Sequence, residues 1–153
     1  MRYFEDYEVG QTREYGSYRV AEEEIIEFAS KYDPQWFHTD PERAKTSIYG
    51  GLIASGWHTT AMLMRMTVDG NVGQAASLGS PGVDEVRWLK PVRPGDTLRV
   101  RSTVTELAPS RSKPDRGVVK SFTEVLNQNG EIVMTTRGMV MIGRRPGPAS
   151  AKQ

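Results

Sequence analysis

The chain has 153 residues, 37% of them hydrophobic and 25% charged, the composition of one ordinary globular domain whose single core buries roughly 70% of the unfolded surface. The lack of cysteine excludes a disulfide scaffold, zinc ribbons, Fe–S clusters and thiol nucleophiles, and His38 and His58, the only histidines, cannot build a three-histidine zinc site. Lys and Arg total 20 against 19 Asp and Glu, a formal net charge of +1, so no bulk charge draws the chain to nucleic acid or to an anionic membrane.

The opening Met1-Arg2-Tyr3-Phe4-Glu5-Asp6-Tyr7-Glu8 has no apolar h-region and carries acids where a targeting peptide carries bases, which points to a cytoplasmic chain. A strand is expected over 12–19. Over 21–32, Ile25, Phe28, Ala29 and Tyr32 recur at i, i+3, i+4, i+7 opposite Glu22, Glu23, Glu27 and Lys31, the pattern of an amphipathic helix with its acids toward the N-terminus. Pro34 disfavours helical geometry at Asp33, so the chain should leave that helix as a bent loop. Asp40-Pro41 then starts a short helix, with Asp40 as N-cap and Pro41 at the first helical position, ending near Thr46.

Gly50-Gly51 opens a third helix, expected over 52–68 and roughly 25 Å long. Apolar or small residues occupy all its faces, as in a helix buried all round. The charge-free stretch 47–64 has the length of a membrane span, but Ser55, His58, Thr59, Thr60 and its glycines favour a core helix.

Everything after Asn71 is expected as strand. Over 97–105, Leu98, Val100 and Val104 alternate with polar residues after the turn Pro94-Gly95-Asp96. Strands at 118–126 and 131–142 flank Asn129-Gly130, a hairpin signal, and another is expected over 83–89. Residues 109–116 form a polar, basic loop. The domain is expected to span 1–143, with 144–153 a disordered Gly/Pro/Ala tail. A helix that needs cover, and a sheet as the one large element left to supply it, imply an α+β class in which a curved antiparallel sheet wraps a long buried central helix.

The chemistry concentrates in Tyr32-Asp33-Pro34-Gln35-Trp36-Phe37-His38-Thr39-Asp40-Pro41. Asp33 and His38 are five positions apart, which puts them on different faces of any helix or strand, so they converge only on a loop bent at Pro34. There they would form a carboxylate–imidazole pair in an aromatic pocket of Tyr32, Trp36 and Phe37. Desolvation in such a pocket raises a carboxyl pKa, and the pair can hold one water and move its protons. The alternative is a loop-capping Asp33 and a satisfied core His38. His38-Thr39-Asp40 with His58 also echoes a two-histidine, one-carboxylate iron site, against which stand the buried setting of His58 and the capping duty of Asp40.

Asp33-Pro34-Gln35-Trp36-Phe37-His38-Thr39-Asp40, followed by Gly51-Leu52-Ile53-Ala54-Ser55-Gly56 and by Val86-Arg87-Trp88-Leu89-Lys90-Pro91-Val92-Arg93-Pro94-Gly95-Asp96-Thr97-Leu98, resembles the MaoC-like dehydratases and (R)-specific enoyl-CoA hydratases. The resemblance covers residues 4–142. It implies a single hotdog domain that hydrates a trans-2-enoyl thioester to the (R)-3-hydroxyacyl thioester, or the reverse, with no metal or redox cofactor and with CoA as part of the substrate. By position, Asp33 and His38 are similar to the catalytic dyad, and Gly56 to the residue whose backbone N–H binds the thioester oxygen.

The more frequent family pattern, Gly-Asp-x-Asn-Pro-x-His with a His before the helix glycine, is departed from at Tyr32, Pro34, Gln35, Trp36 and Ser55. Tyr32, Trp36, Ser55, Met64 and Arg87 are candidate substrate contacts. Met62, Met64 and Met66 suit either an acyl pocket or core filling. Arg87, Lys90, Arg93 and the loop Arg111-Ser112-Lys113-Pro114-Asp115-Arg116 suit either CoA phosphates or a solvated charged face. The other readings are an acyl-CoA or acyl-carrier binding subunit without turnover, and a hotdog thioesterase. Exposed sheet edges, together with the resemblance, imply a homodimer or larger homo-oligomer.

Overall fold

A computed structural model describes residues 1–147. The strands are β1 (Thr12–Arg19), β2 (Val83–Trp88), β3 (Thr97–Pro109), β4 (Arg116–Leu126) and β5 (Ile132–Gly143). They form one antiparallel five-stranded sheet in the order β1-β3-β4-β5-β2. The alternation read from β3 holds, with Leu98, Val100, Ser102 and Val104 buried. Gly130, at φ +74, turns the β4–β5 hairpin, and the Asn127 side-chain oxygen accepts from the Asn129 and Glu131 amides at 3.0 Å each.

The helices are α1 (Glu22–Tyr32), α2 (Trp36–Thr39), α3 (Pro41–Ala44) and α4 (Gly56–Gly70). On α1, Ile25 and Ala29 are buried and the acids Glu22, Glu23 and Glu24 fill the first turn. At α3, Asp40 Oδ1 accepts from the Arg43 amide at 3.1 Å and Pro41 opens the helix, as the capping signal foretold. Across the concave face of the sheet runs α4, whose Met62, Leu63 and Met66 join Ile25, Leu98, Val100, Val125, Val133 and Met134 in the main core. This is the α+β arrangement of sheet and central helix expected from the sequence. Among the described residues no helix is long and apolar enough to cross a membrane.

Several boundaries differ from the sequence reading. The central helix begins at Gly56 rather than Leu52, because residues 52–55 are held extended by tertiary hydrogen bonds: the Ile53 amide to the Phe37 carbonyl at 3.2 Å and the Ala54 amide to the Val92 carbonyl at 2.8 Å. Nor is α4 buried all round. Trp57, Ala61, Met64 and Val68 are exposed, since the sheet covers one side of the helix and leaves this face open. After Asn71 comes a 3-10 turn, Val72–Gln74, rather than strand, and single bridges at Ala75 and Ser77 precede β2. The start of the expected disordered tail is tied down: Arg144 Nε donates to Glu5 Oε1 at 2.8 Å and Arg145 Nη2 to Asp6 Oδ1 at 2.6 Å. The rest of that expectation, over 148–153, lies outside the described residues.

Sheet curvature has a local cause in β1. Its register against β3 shifts between Tyr15 and Tyr18, and within the bulge Gly16 adopts φ +86. A Cβ on Gly16 would stand 2.6 Å from Met66 Sδ, so the bulge both bends the strand and lets it press against α4. Gly16→Ala meets a left-handed backbone and an occupied site at once. We expect it to cost about 2 kcal/mol, a melting midpoint lower by roughly 4–8 °C in calorimetry.

Candidate active site

The loop after α1 contains a helical turn where the sequence predicts bent chain. Asp33 closes α1 by donating its amide to Ala29, leaves helical geometry at φ −150, and is followed by Pro34. One turn later, α2 carries His38 on its buried face and Trp36 on its outer one. Pro34 and this single turn bring the two sides of the pair together: His38 Nε2 lies 3.3 Å from Asp33 Oδ2.

Each partner is held from behind. His38 Nδ1 lies 2.7 Å from the Ile53 carbonyl oxygen. A carbonyl only accepts, so Nδ1 donates to it, and this orients Nε2 toward Asp33. On the carboxylate, Oδ1 accepts from Gln35 Nε2 and Oδ2 from Ser55 Oγ, both at 2.8 Å. The ring of Phe37 meets the imidazole edge-on at 4.5 Å.

Desolvation does push the Asp33 carboxyl upward, as expected of an apolar pocket. The hydrogen bonds from Gln35 and Ser55 and the field of His38 together outweigh it, and the net displacement is below the ordinary carboxylate value. The expectation of a raised pKa fails because the pocket brings its own donors.

Ser55 precedes α4 and would ordinarily cap it. Its hydroxyl is committed to Asp33 instead, and the helix has no side-chain cap. The first amides of α4, that of Gly56 included, have no acceptor within the helix and gather the positive end of its dipole. Gly56 itself is under the Trp88 ring: a Cβ there would stand 2.5 Å from Trp88 Cδ2 and Cε2.

Asp33, Gln35, His38 and Gly56 all line a cleft of about 610 Å³. Phe37 and Tyr49 form one part of its wall, Trp57 and Trp88 another, and residues 89–92, Val133 and the segment around Ile53 and Ala54 also line it. The aromatic surroundings of the dyad are therefore Phe37, Tyr49, Trp57 and Trp88 rather than Tyr32, Trp36 and Phe37. Tyr32 is 64% exposed and packs on Phe28 beside a separate cavity. Trp36 lies beneath the Arg43 guanidinium, 4.6 Å from its carbon. Met64 is half exposed on the open face of α4, whereas Met62 and Met66 are core. Arg87 pairs with Glu85 at 2.9 Å and stands outside the cleft.

Of the basic candidates, Lys90 lines the cleft and pairs with Glu131. Arg93 Nη2 donates to the Tyr49 carbonyl at 2.6 Å, and Arg116 is paired with Asp115. Gln35 and Ser55, read from the sequence as departures from a pattern, turn out to be the two donors on Asp33. The signal available was that both are hydrogen-bonding residues placed at the dyad loop and just before the central helix.

The residues of the iron-site alternative are not brought together. His58 Nε2 lies 3.0 Å from Glu24 Oε1, which also accepts from the Tyr18 hydroxyl, and Asp40 caps α3. Among the described residues no three His, Asp or Glu side chains are grouped to hold a metal ion.

The family model described as MaoC like domain matches residues 5–126. Over 95% of this chain, the fold superposes on 99% of the MaoC-like dehydratase from Rhodospirillum rubrum, with a TM-score of 0.85 and 40% identity. The R-hydratase PhaJ1 from Pseudomonas aeruginosa superposes with a TM-score of 0.76 at 25% identity, covering 99% of this chain and 94% of that one. In sequence, the 3-hydroxyacyl-thioester dehydratase Z of Mycobacterium tuberculosis is 31% identical over 108 residues, 69% of this chain and 72% of the relative. With its sheet wrapped on one central helix, this chain belongs to the MaoC-like dehydratase family and has the hotdog fold.

Proposed function

We propose that this protein adds water across the double bond of a trans-2-enoyl-CoA or related acyl thioester, giving the (R)-3-hydroxyacyl thioester, or catalyses the reverse dehydration. The observation that carries this reading is the facing pair of His38 Nε2 and Asp33 Oδ2, 3.3 Å apart on the wall of the cleft that also contains Gly56. With Nδ1 committed to the Ile53 carbonyl, His38 Nε2 and the Asp33 carboxylate face one another, a site suited to holding one water and moving its protons.

In hydration the water oxygen bonds to C3 as one of its protons passes to the dyad. The π electrons of the C2–C3 bond move toward the carbonyl, which becomes an enolate-like oxygen. The Gly56 amide and the uncapped end of α4 would meet that charge with fixed dipoles, worth on the order of 3 kcal/mol. Collapse of the enolate then draws the proton from the dyad to C2, on the face from which the hydroxyl was added. Only a hydroxide and a proton are transferred, so the chemistry calls for no metal or redox cofactor. The edge strands β1 and β2 and the open apolar face of α4 support a homodimer as the working form.

Loss of enoyl absorbance with short and branched trans-2-enoyl-CoA substrates tests the reading. Wild type should turn over at least one of them, and Asp33→Asn and His38→Ala should each lower kcat/KM by about two orders of magnitude or more while keeping the wild-type circular dichroism. No turnover on any enoyl thioester, or release of free CoA from saturated acyl-CoA, would sink it.

The balance at Asp33 gives a second expectation. Ser55→Ala removes one of the groups holding the carboxyl low and leaves desolvation in place, so the Asp33 pKa should rise. Because the dyad needs Asp33 ionised, activity falls as pH drops through that pKa, and the acid limb of the kcat/KM profile should move to higher pH in the variant. Stability has the same sign. A depressed folded-state pKa contributes stability that is present above the unfolded value of about 4 and lost as pH falls through the folded value. Asp33→Asn should lack that acid-side loss in denaturant titrations.

A further inference from the structure

Trp88 ends β2, pairs across to Met134 of β5, and turns its ring inward onto α4. The indole lies against the Cα of Gly56, fills the space a side chain would have taken there, and meets Trp57 edge-on at 5.0 Å. It is also pinned. Trp88 Nε1 donates to Thr60 Oγ1 at 3.3 Å, and that hydroxyl donates in turn to the Gly56 carbonyl at 2.9 Å. The indole, still 44% exposed, thus lies over the first turn of α4 and forms the cleft wall beside Gly56.

An acyl tail attached to a carbonyl held at the Gly56 amide would gain most by entering the apolar space between helix and sheet, where each methylene leaves water. Trp88 lines the cleft together with Thr59 of α4 and Val133 of β5, and so stands on that path. We propose that Trp88 is the residue that sets acyl length in this cleft, closing the helix–sheet space to long tails and restricting the site to short acyl groups. The inference rests on the acyl-thioester reading above, with Gly56 at the thioester carbonyl, and goes beyond it by naming the substrate class.

Binding of saturated acyl-CoA tests it without requiring hydration. Isothermal titration with butyryl-, octanoyl- and dodecanoyl-CoA should show the full-length wild type gaining little or nothing from the longer tails. Trp88→Leu and Trp88→Ala should bind octanoyl-CoA at least about tenfold tighter relative to butyryl-CoA than wild type does, since one buried methylene is worth about fourfold. Thr60→Val, which removes the pin and keeps the volume, should shift the ratio in the same direction by less, and it keeps the test open if the Trp88 variants do not fold. An unchanged ratio in the folded variants, or a wild type that already prefers dodecanoyl-CoA, overturns the proposal. If no acyl-CoA binds wild type, the proposal falls together with the reading beneath it. A shifted ratio in a protein that hydrates no enoyl-CoA supports the length gate and removes the hydratase reading alone.

Discussion

The short extended segment before α4 is the constraint on which the site depends. Residues 52–55 are apolar enough to have continued the helix, yet the Ile53 and Ala54 amides are spent on the Phe37 and Val92 carbonyls. The Ile53 carbonyl accepts from His38 Nδ1, and the Ser55 hydroxyl donates to Asp33. One stretch of backbone thereby delays the helix until Gly56, orients the imidazole, and ties the carboxylate to the end of the central helix. Had the helix begun four residues earlier, the Ile53 carbonyl would have been used within it and His38 would have lost its orienting acceptor.

Electrostatically, the site is a contest between burial and hydrogen bonding. The cleft excludes enough water to penalise a charged Asp33, but Gln35 and Ser55 donate to both its oxygens, and the charged form wins. Ser55 illustrates how closely the terms are coupled. Spent on Asp33, it leaves α4 uncapped, at a cost of about 1 kcal/mol in ordinary helices, and the same choice leaves the first amides of α4 unpaired beside the cleft. A second carboxylate–imidazole contact, Glu24 with His58, joins α1 to α4 and has its carboxyl held low by the same competition, with donors from Tyr18 and His58 overcoming desolvation.

Glycine positions record how near the layers come. Gly16 lets the bulged edge strand meet Met66, and Gly56 lets the Trp88 ring lie on the helix start. In both cases a backbone without Cβ converts what would be a gap-forming contact into close packing of strand or indole against α4. The consequence differs between the two: the first shapes the sheet, the second shapes the cleft.

Periodicity and punctuation made most of the secondary structure legible in the sequence. The 3.6-residue apolar stripe of α1, the alternation in β3, the Asn129-Gly130 hairpin and the Asp40-Pro41 cap all depend on neighbours a few residues apart, and they appear where the pattern put them. The bend at Pro34 pointed to Asp33 and His38, the family resemblance pointed to Gly56, and all three line one cleft. Hydrogen bonds between distant segments decided the rest. The helix start at Gly56 depends on Phe37 and Val92, the low pKa of Asp33 on Ser55, 22 residues away, and the aromatic wall on Trp88, a strand that folds back onto the helix start. Tyr32 and Trp36 stand outside the cleft because adjacency in sequence does not fix which side of α1 or of α2 faces it. Local sequence determined the elements and the reactive residue types; only the tertiary structure decided which polar groups found partners, because burial and long-range hydrogen bonds exist only once the chain has closed on itself.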